Sequence, residues 1–265
     1  MGNLRTNLFR FYNWAQPLIV PGLRNAQFAY KETLETKLLP ETRWLDIGCG
    51  RRLFPTWMPQ SEQIQIAMTG KVNATFGLDP DFASLRDNRF VQYRVQGDSS
   101  ALPFAGDSFD LLTANMVVEH VANPVALLSE AFRVLKPKGF FLFHTPNLLS
   151  YATLTARIVP EAFKVGLIRY LEGRKGEDVF PTLYRMSTPE QVEKLASAAG
   201  FAVVELKRTE SSAQAVMLGP LVILELLWIR MLRLRTLRNL RSNLIVILQK
   251  PGQQGKAQIA SPNPR

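Results

Sequence analysis

This sequence predicts a doubly wound α/β fold built on a mostly parallel, seven-stranded sheet, and three observations predict it. Short apolar runs alternate with helical patterns from about residue 42 onward. The first three of those runs end in glycine or aspartate, the residue types that let a backbone turn sharply and meet a ligand at a strand's C-terminal end. A length of 265 residues with 46% hydrophobic and 20% charged residues suits one sizeable core rather than a fibrous or disordered chain.

In chain order, residues 43–47 read as a buried strand ending in Gly48-Cys49-Gly50. Residues 75–78 are a second strand ending at Asp79-Pro80-Asp81, and residues 90–95 a third, followed by Gly97-Asp98. Residues 109–114 form the fourth. An amphipathic helix over 124–135 is closed by Lys136-Pro137-Lys138-Gly139, and 140–144 is the fifth strand. Ser187-Thr188-Pro189-Glu190 starts another helix, with proline in the first turn, which Gly200 stops. Residues 201–206 and 244–248 complete the seven strands.

Around this body lie a basic N-terminal extension (1–39), insertions at 148–186 and 209–241 of the 40–250 domain, and a disordered tail (251–265) rich in Gly, Pro, Gln and Ser. The N-terminal apolar stretch is broken by Pro17 and Pro21 and does not read as a signal peptide.

The net charge of +10 is unevenly placed. Residues 1–31 carry +4 and residues 226–265 carry +8, with no acid in either segment; the middle, with 20 bases and 22 acids, carries −2. A single cysteine, Cys49, excludes an intrachain disulfide or a cysteine-rich zinc site and suits a reducing interior.

Each loop motif has two readings. Gly48-Cys49-Gly50 is an ordinary glycine turn or a close backbone approach to a ligand. The position three after Gly50, where a dinucleotide fingerprint wants glycine, is Leu53. Asp79 is a solvated turn residue or an acceptor for both hydroxyls of a ribose. Asp98 and Ser99 belong to a plain loop or accept from an adenine amino group, with Leu102-Pro103-Phe104 walling the ring. All three fall at the same edge of one sheet, in consecutive order, and turns alone do not explain that.

On these segments the chain resembles the class I S-adenosylmethionine-dependent methyltransferases, closest to the ubiquinone/menaquinone-biosynthesis branch. The matching stretches are 45–50, 77–80, 97–104, 107–110, Val118-Glu119-His120-Val121 and 131–139, with 188–206 adding a later helix and strand. The resemblance implies a Rossmann-like methyltransferase fold and S-adenosyl-L-methionine as cofactor. Asp46, Gly48, Cys49 and Gly50 would line its methionine end, Asp79 and Pro80 its ribose, and Asp98 and Ser99 its adenine. Asn115 and Met116 would flank the sulfur. The glycine usual two residues after Gly50 is Arg52 here, and residues 51–73, with Pro55 and Pro59, are long for the segment holding the first helix. Arg51 or Arg52 is therefore a candidate for the methionine carboxylate.

A sulfonium is an activated methyl donor, so the protein must align a nucleophile and often remove its proton. The two histidines, His120 and His144, follow the fourth and end the fifth strand, and both are candidate bases. No cysteine-rich site calls for a metal. The first insertion, with Tyr151, Arg157, Phe163, Arg169, Tyr170, Phe180, Tyr184 and Arg185, is placed to cover substrate. In the second, residues 213–229 hold one charge, Glu225, and are followed by Arg230, Arg233, Arg235, Arg238 and Arg241. Apolar residues beside arginines fit an anionic membrane surface, and equally an insertion packed on the sheet or a dimer contact.

Asn115-Met116-Val117-Val118 is not the turn of enzymes that methylate base amino groups, and no RNA-binding module is appended, so nucleic acid is disfavoured as substrate. The expectation is a cytoplasmic methyltransferase, working in solution or at the inner membrane face, on a small-molecule or lipid-linked acceptor. Two alternatives stay open: an RNA methyltransferase, and a cofactor-binding peripheral membrane protein without catalysis. Oligomeric state is not legible.

Overall fold

The computed structural model describes residues 2–158 and 181–252. The helices are α1 (Gly2–Ile19), α2 (Ala26–Glu35), α3 (Ser61–Gly70), α4 (Phe82–Asp87), α5 (Pro124–Val134), α6 (Tyr151–Ile158), α7 (Pro189–Ala198) and α8 (Val222–Met231). The strands are β1 (Arg43–Ile47), β2 (Ala74–Asp79), β3 (Tyr93–Gln96), β4 (Phe109–Asn115), β5 (Leu135–Pro146), β6 (Ala202–Thr209) and β7 (Asn243–Gln249).

They form one sheet in the order β3-β2-β1-β4-β5-β7-β6, the seven-stranded architecture the sequence predicts. β3, β2, β1, β4 and β5 pair in parallel. Lys138 N–H donates to Lys250 O and Lys250 N–H to Gly139 O at one end of the β5–β7 pair, and Asn147 N–H donates to Ser242 O at the other, so β7 runs antiparallel. β1 and β7 are almost wholly buried, which is why they read as unbroken apolar runs. The order reverses between β1 and β4, and in open α/β sheets ligands bind beyond the strand ends at such a switch point.

Two boundaries differ from the sequence expectation. The third strand starts at Tyr93 rather than residue 90. Phe90 N–H instead bonds the Asn88 side-chain oxygen, and Gln92 N–H bonds both oxygens of Thr75. The Lys136–Gly139 segment is no turn closing a helix but the irregular start of β5. Leu135 faces Phe109 and Phe140 faces Leu111, so the chain bulges between them with Lys138 at φ 68°. A side chain on Gly139 would lie 2.9 Å from the Lys136 carbonyl and 3.1 Å from that of Asp110, so only glycine fits that corner.

The chain separates into two compact units. The larger comprises Glu32–Thr145, Leu183–Lys207 and Ile245–Arg265. The smaller gathers Met1–Lys31, Pro146–Thr182 and Arg208–Leu244.

In the smaller unit the first helix of the basic N-terminal extension, α1, packs against the second insertion. Phe11, Tyr12, Ala15 and Ile19 recur at helical spacing on α1; Val222, Leu226 and Ile229 do so on α8. They join Val20, Leu23, Ala213 and Val216 in one core. Pro17 sits in the last turn of α1, and the Gln16 amide donates to Val20 O and Leu23 O just beyond. Glu225, the one charge in the apolar stretch, accepts from Gln214 N–H, Ala215 N–H and the Tyr151 hydroxyl. It therefore organises the entry into the Ala215–Leu221 turn that precedes α8.

Candidate active site at the C-terminal strand edge

The site lies wholly in the larger unit, where β1, β2, β4 and β5 end side by side. Register places Ile47 beside Leu78, Asp79 beside Gln96, and Asn115 beside His144. The motifs that sequence reasoning placed on one edge are on one edge.

The chain leaves β1 through Gly48 (φ 66°) and Gly50 (φ 47°). Both occupy the left-handed region that glycine reaches without steric cost. A side chain at Gly48 would strike Val117 at 2.6 Å, whereas at Gly50 nothing lies within 4 Å. Gly48 and Cys49 N–H both donate to Leu78 O, and Gly50 N–H donates to Asp79 Oδ2 at 2.8 Å. The other Asp79 oxygen accepts from Asp81 N–H at 2.9 Å. Asp79 thus latches the glycine loop to the end of β2. Pro80, exposed beside it, accepts from the Gln96 amide.

A second latch was not singled out from the sequence. Asn88 is fully buried, and its amide donates to Cys49 O and Gly50 O. In the sequence it is one polar residue after a short helix, with no pattern to mark it.

The segment after Gly50 departs from the common arrangement, as its prolines suggest. Residues 51–60 are irregular and α3 begins only at Ser61, so no helix N-terminus meets the glycine loop. The buried Gln65 holds this loop instead: its oxygen accepts from Leu53 and Phe54 N–H, and its amide donates to Ser61. Arg51 and Arg52 are both exposed, Arg51 lying 4.0 Å from Asp87.

Asp46 is buried between β2 and β4, where the Thr113 hydroxyl donates to it and Trp44 Nε1 donates to Thr113 in turn. Burial pushes its carboxyl up to about 7; the nearby Asp79 adds to the rise and the Thr113 hydrogen bond opposes it. Burial likewise pushes the Cys49 thiol well above its ordinary range, with the charges of Asp46 and Asp79 reinforcing it. The Cys49 side chain is buried, and its backbone N–H and oxygen are what tie the loop to Leu78 and Asn88.

Beyond β3, Asp98 accepts from the Ser100 hydroxyl and Ser100 N–H, which hold its carboxyl below the usual range. It is Ser100, not Ser99, that bonds this carboxylate; Ser99 is half-buried next to it. Phe104, expected to wall a ring, turns into the sheet and packs edge-on against Phe76 and Phe109, while Pro103 stays exposed. Glu130 and Arg133 of α5 fix this loop by bonding Leu102 N–H, Leu102 O and Phe104 O.

At the end of β4, Asn115 donates to Leu53 O and its oxygen faces His144 Nδ1 at 2.9 Å. Since the Asn115 amide nitrogen faces Leu53 O and its carbonyl oxygen can only accept, His144 Nδ1 is the donor of that pair. Met116 follows at φ 59°, its side chain 38% exposed, with its N–H on His144 O. A non-glycine residue in that region costs on the order of 1 kcal/mol.

The histidines occupy different surroundings. His144 is 2% exposed, whereas the His120 side chain is 31% exposed. Beside His120 lies the carboxylate that sequence reasoning quoted within a motif but gave no role. Glu119 is 2% exposed, with Oε1 3.9 Å from His120 Nε2 and Oε2 accepting from the Thr145 hydroxyl at 3.2 Å. Burial pushes its carboxyl up to about 7. Its backbone oxygen accepts from Leu183 and Tyr184 N–H, and Arg185 donates to Ala122 O, so the end of the first insertion is tied down here. Tyr151 at the start of that insertion gives its hydroxyl to Glu225 in the smaller unit instead. Phe163, Arg169, Tyr170, Phe180 and the Arg157 side chain lie outside the described residues, as does the tail from 253.

A family of methyltransferase domains matches residues 23–206, more than half of the chain. The chain belongs to that family. The domain is 30% identical over 132 residues to the mitochondrial 2-methoxy-6-polyprenyl-1,4-benzoquinol methylase of Xenopus laevis, covering 47% of this chain and 42% of that protein. It is 29% identical over 142 residues to a ubiquinone biosynthesis O-methyltransferase of Xanthomonas campestris, covering 50% and 56%. The aligned parts span roughly a third to just over half of the curated relatives' lengths. Among solved structures, a SAM-dependent methyltransferase from Methanosarcina mazei superposes with a TM-score of 0.53 over 83% of this chain and 98% of its own, at 18% identity. That likeness speaks for the fold alone.

The methyltransferase domain's own residues fit an adenosyl sulfonium. Gly50 leaves open space where a side chain would project, and each Asp79 oxygen, with one backbone N–H bound, keeps a second lone pair for a hydroxyl.

Proposed function

We propose that the protein transfers a methyl group from S-adenosyl-L-methionine to a small-molecule or lipid-linked acceptor. The observation that carries this reading is the placement of the Asp79–Gly50 latch and the Glu119–His120 pair on one strand edge at the sheet's switch point. When bound, the cofactor would supply a methyl group already activated by positive sulfur. Asp79 would hold the ribose and Asp46, Gly48 and Gly50 the methionine end. Asp98 would face the adenine. Asn115 and Met116 would border the sulfur.

Of the two histidines, His120 is the better placed base. It is open enough to meet an acceptor's proton, and the Glu119 carboxyl, ionised as pH rises past about 7, lies 3.9 Å away to stabilise the imidazolium that forms. His144, enclosed and bonded to Asn115, positions the turn around Met116. Two relatives, one a polyprenyl-benzoquinol methylase and one a ubiquinone biosynthesis O-methyltransferase, support a ring acceptor with a lipid tail. The larger unit holds 17 basic and 16 acidic residues, a balance that gives no electrostatic footprint for nucleic acid.

The test is labelled-methyl transfer into separated lipid and aqueous cell extracts, run beside calorimetric titration with S-adenosylmethionine. Cofactor binding that weakens in Asp79→Ala, with label entering the lipid fraction, supports the reading. An absence of cofactor binding rejects it, and label in RNA alone reassigns the acceptor.

A further inference from the structure

We propose that the smaller unit docks on an anionic lipid bilayer through the exposed leucine stripe of α8 and the arginines beside it. Leu221, Leu224, Leu227 and Met231 follow at steps of three, three and four, on the opposite side of the helix from the buried Val222, Leu226 and Ile229. They are 57%, 65%, 45% and 47% exposed, and Leu234 just past the helix is 56% exposed. A soluble surface tolerates single apolar residues, but a contiguous aliphatic stripe is a binding face.

The stripe has a neighbour on α1. Arg230 donates to Ile19 O at 3.0 Å and Arg233 to Pro21 O at 2.9 Å, which pins the end of α8 to the end of α1. Near that end α1 exposes Trp14 (62%) and Leu18 (64%). Tryptophan with leucine beside arginine is the composition of an element lying at a membrane interface.

Charge selects the occupant. The smaller unit contains 15 basic and 6 acidic residues, +9 of the whole chain's +10. Its described acids are turned inward: Glu225 is bound by Tyr151 and two backbone N–H groups, and Glu210 lies 3.6 Å from Arg233 and 3.4 Å from Arg241. Arg235 and Arg238 are exposed and make no side-chain hydrogen bond or ion pair among the described residues. A second copy of the chain would bring two +9 units together, which Coulomb repulsion opposes. Nucleic acid would satisfy the arginines and leave five aliphatic side chains without a role. Lipid headgroups and acyl chains satisfy both. No described helix is long and apolar enough to cross a membrane, so the geometry is one of lying on the surface.

The test uses the full chain and vesicles of phosphatidylcholine alone or mixed with phosphatidylglycerol, read by co-sedimentation. The protein is expected to pellet with the mixed vesicles, less with phosphatidylcholine alone, and less as salt rises. Leu224→Glu/Leu227→Glu should weaken binding by about tenfold or more. Arg235→Gln/Arg238→Gln should weaken it by about fivefold per arginine. Both pairs are exposed, so folding and cofactor affinity should stay at wild-type values by circular dichroism and calorimetry. A wild type that stays in the supernatant with mixed vesicles at low salt overturns the proposal, as does undiminished pelleting of the leucine variant. Dimerisation in analytical ultracentrifugation, abolished by Leu224→Glu/Leu227→Glu, in a protein that ignores vesicles would assign the face to a second copy and equally overturn it. None of these outcomes depends on the methyl acceptor.

Discussion

In the larger unit 17 basic residues stand against 16 acidic ones; in the smaller, 15 stand against 6. The larger unit also buries its acids where strands end. Asp46, Asp79 and Glu119 are each less than a tenth exposed, and backbone N–H groups or hydroxyls satisfy them. Such groups are costly to bury and their environments shift their protonation, which is how active sites are made. In the smaller unit no described acid is so enclosed: the α1–α8 core is apolar, and Glu225, half-buried, serves the backbone around it. Balanced charge with buried carboxylates makes a site, whereas unbalanced charge with exposed leucines makes a surface.

The sharpest way to break this contrast is at His120. With His120 as the proposed base, His120→Ala should lower turnover by about a hundredfold to ten-thousandfold while the affinity for S-adenosylmethionine holds. Turnover within a few-fold of wild type would leave the larger unit without its base. Asp79→Ala comes next. It unlatches Gly50 and removes the proposed ribose acceptor, so cofactor affinity by calorimetry should fall by roughly a hundredfold.

In the smaller unit Leu226 is fully buried in the α1–α8 core. Leu226→Ala should destabilise the chain by about 2–5 kcal/mol in denaturant unfolding. Cofactor affinity should be retained, since every residue proposed above to hold the cofactor lies in the larger unit. A loss of affinity equal to that of Asp79→Ala would show the two units to be functionally inseparable.

A smaller effect sharpens the role of burial at Glu119. Its carboxyl rises from 4.5 unfolded to about 7 folded, so the folded chain holds the proton more tightly. That stabilisation is complete below about pH 4.5 and is lost as pH climbs through 7, where folding must bury a charge. Glu119→Gln, which never ionises, should gain on the order of 2 kcal/mol over wild type at pH 8 and nothing at pH 4. An equal gain at both pH values would mean packing, not charge, sets the difference. The smallest expectation concerns Cys49, whose thiol should resist alkylation in the native chain and react on unfolding, since it is buried and its ionisation is suppressed.

Much of the larger unit was legible in sequence because its signals are local. Strand periodicity, the glycines after β1 and the aspartates after β2 and β3 carry their meaning within a few residues. What escaped depends on burial or on distant partners. Asn88 closes on Cys49 and Gly50 from about forty residues away, and Glu119 differs from a surface glutamate only in being enclosed. The packing of Phe104 was not legible either, because its partners Phe76 and Phe109 come from neighbouring strands. Separating His120 from His144 needed their exposure, which no motif states.

The smaller unit shows the limit most plainly. By itself the sequence determined that its ends were basic, that residues 213–229 were apolar with one glutamate, and that arginines followed. Only the tertiary structure decided that α1 and α8, more than two hundred residues apart, share one core. The physical reason is that an amphipathic helix announces which face it will bury but not against what. The partner is chosen by which other apolar face the folded chain brings within reach, and the leucines left outside are known only once that choice is made.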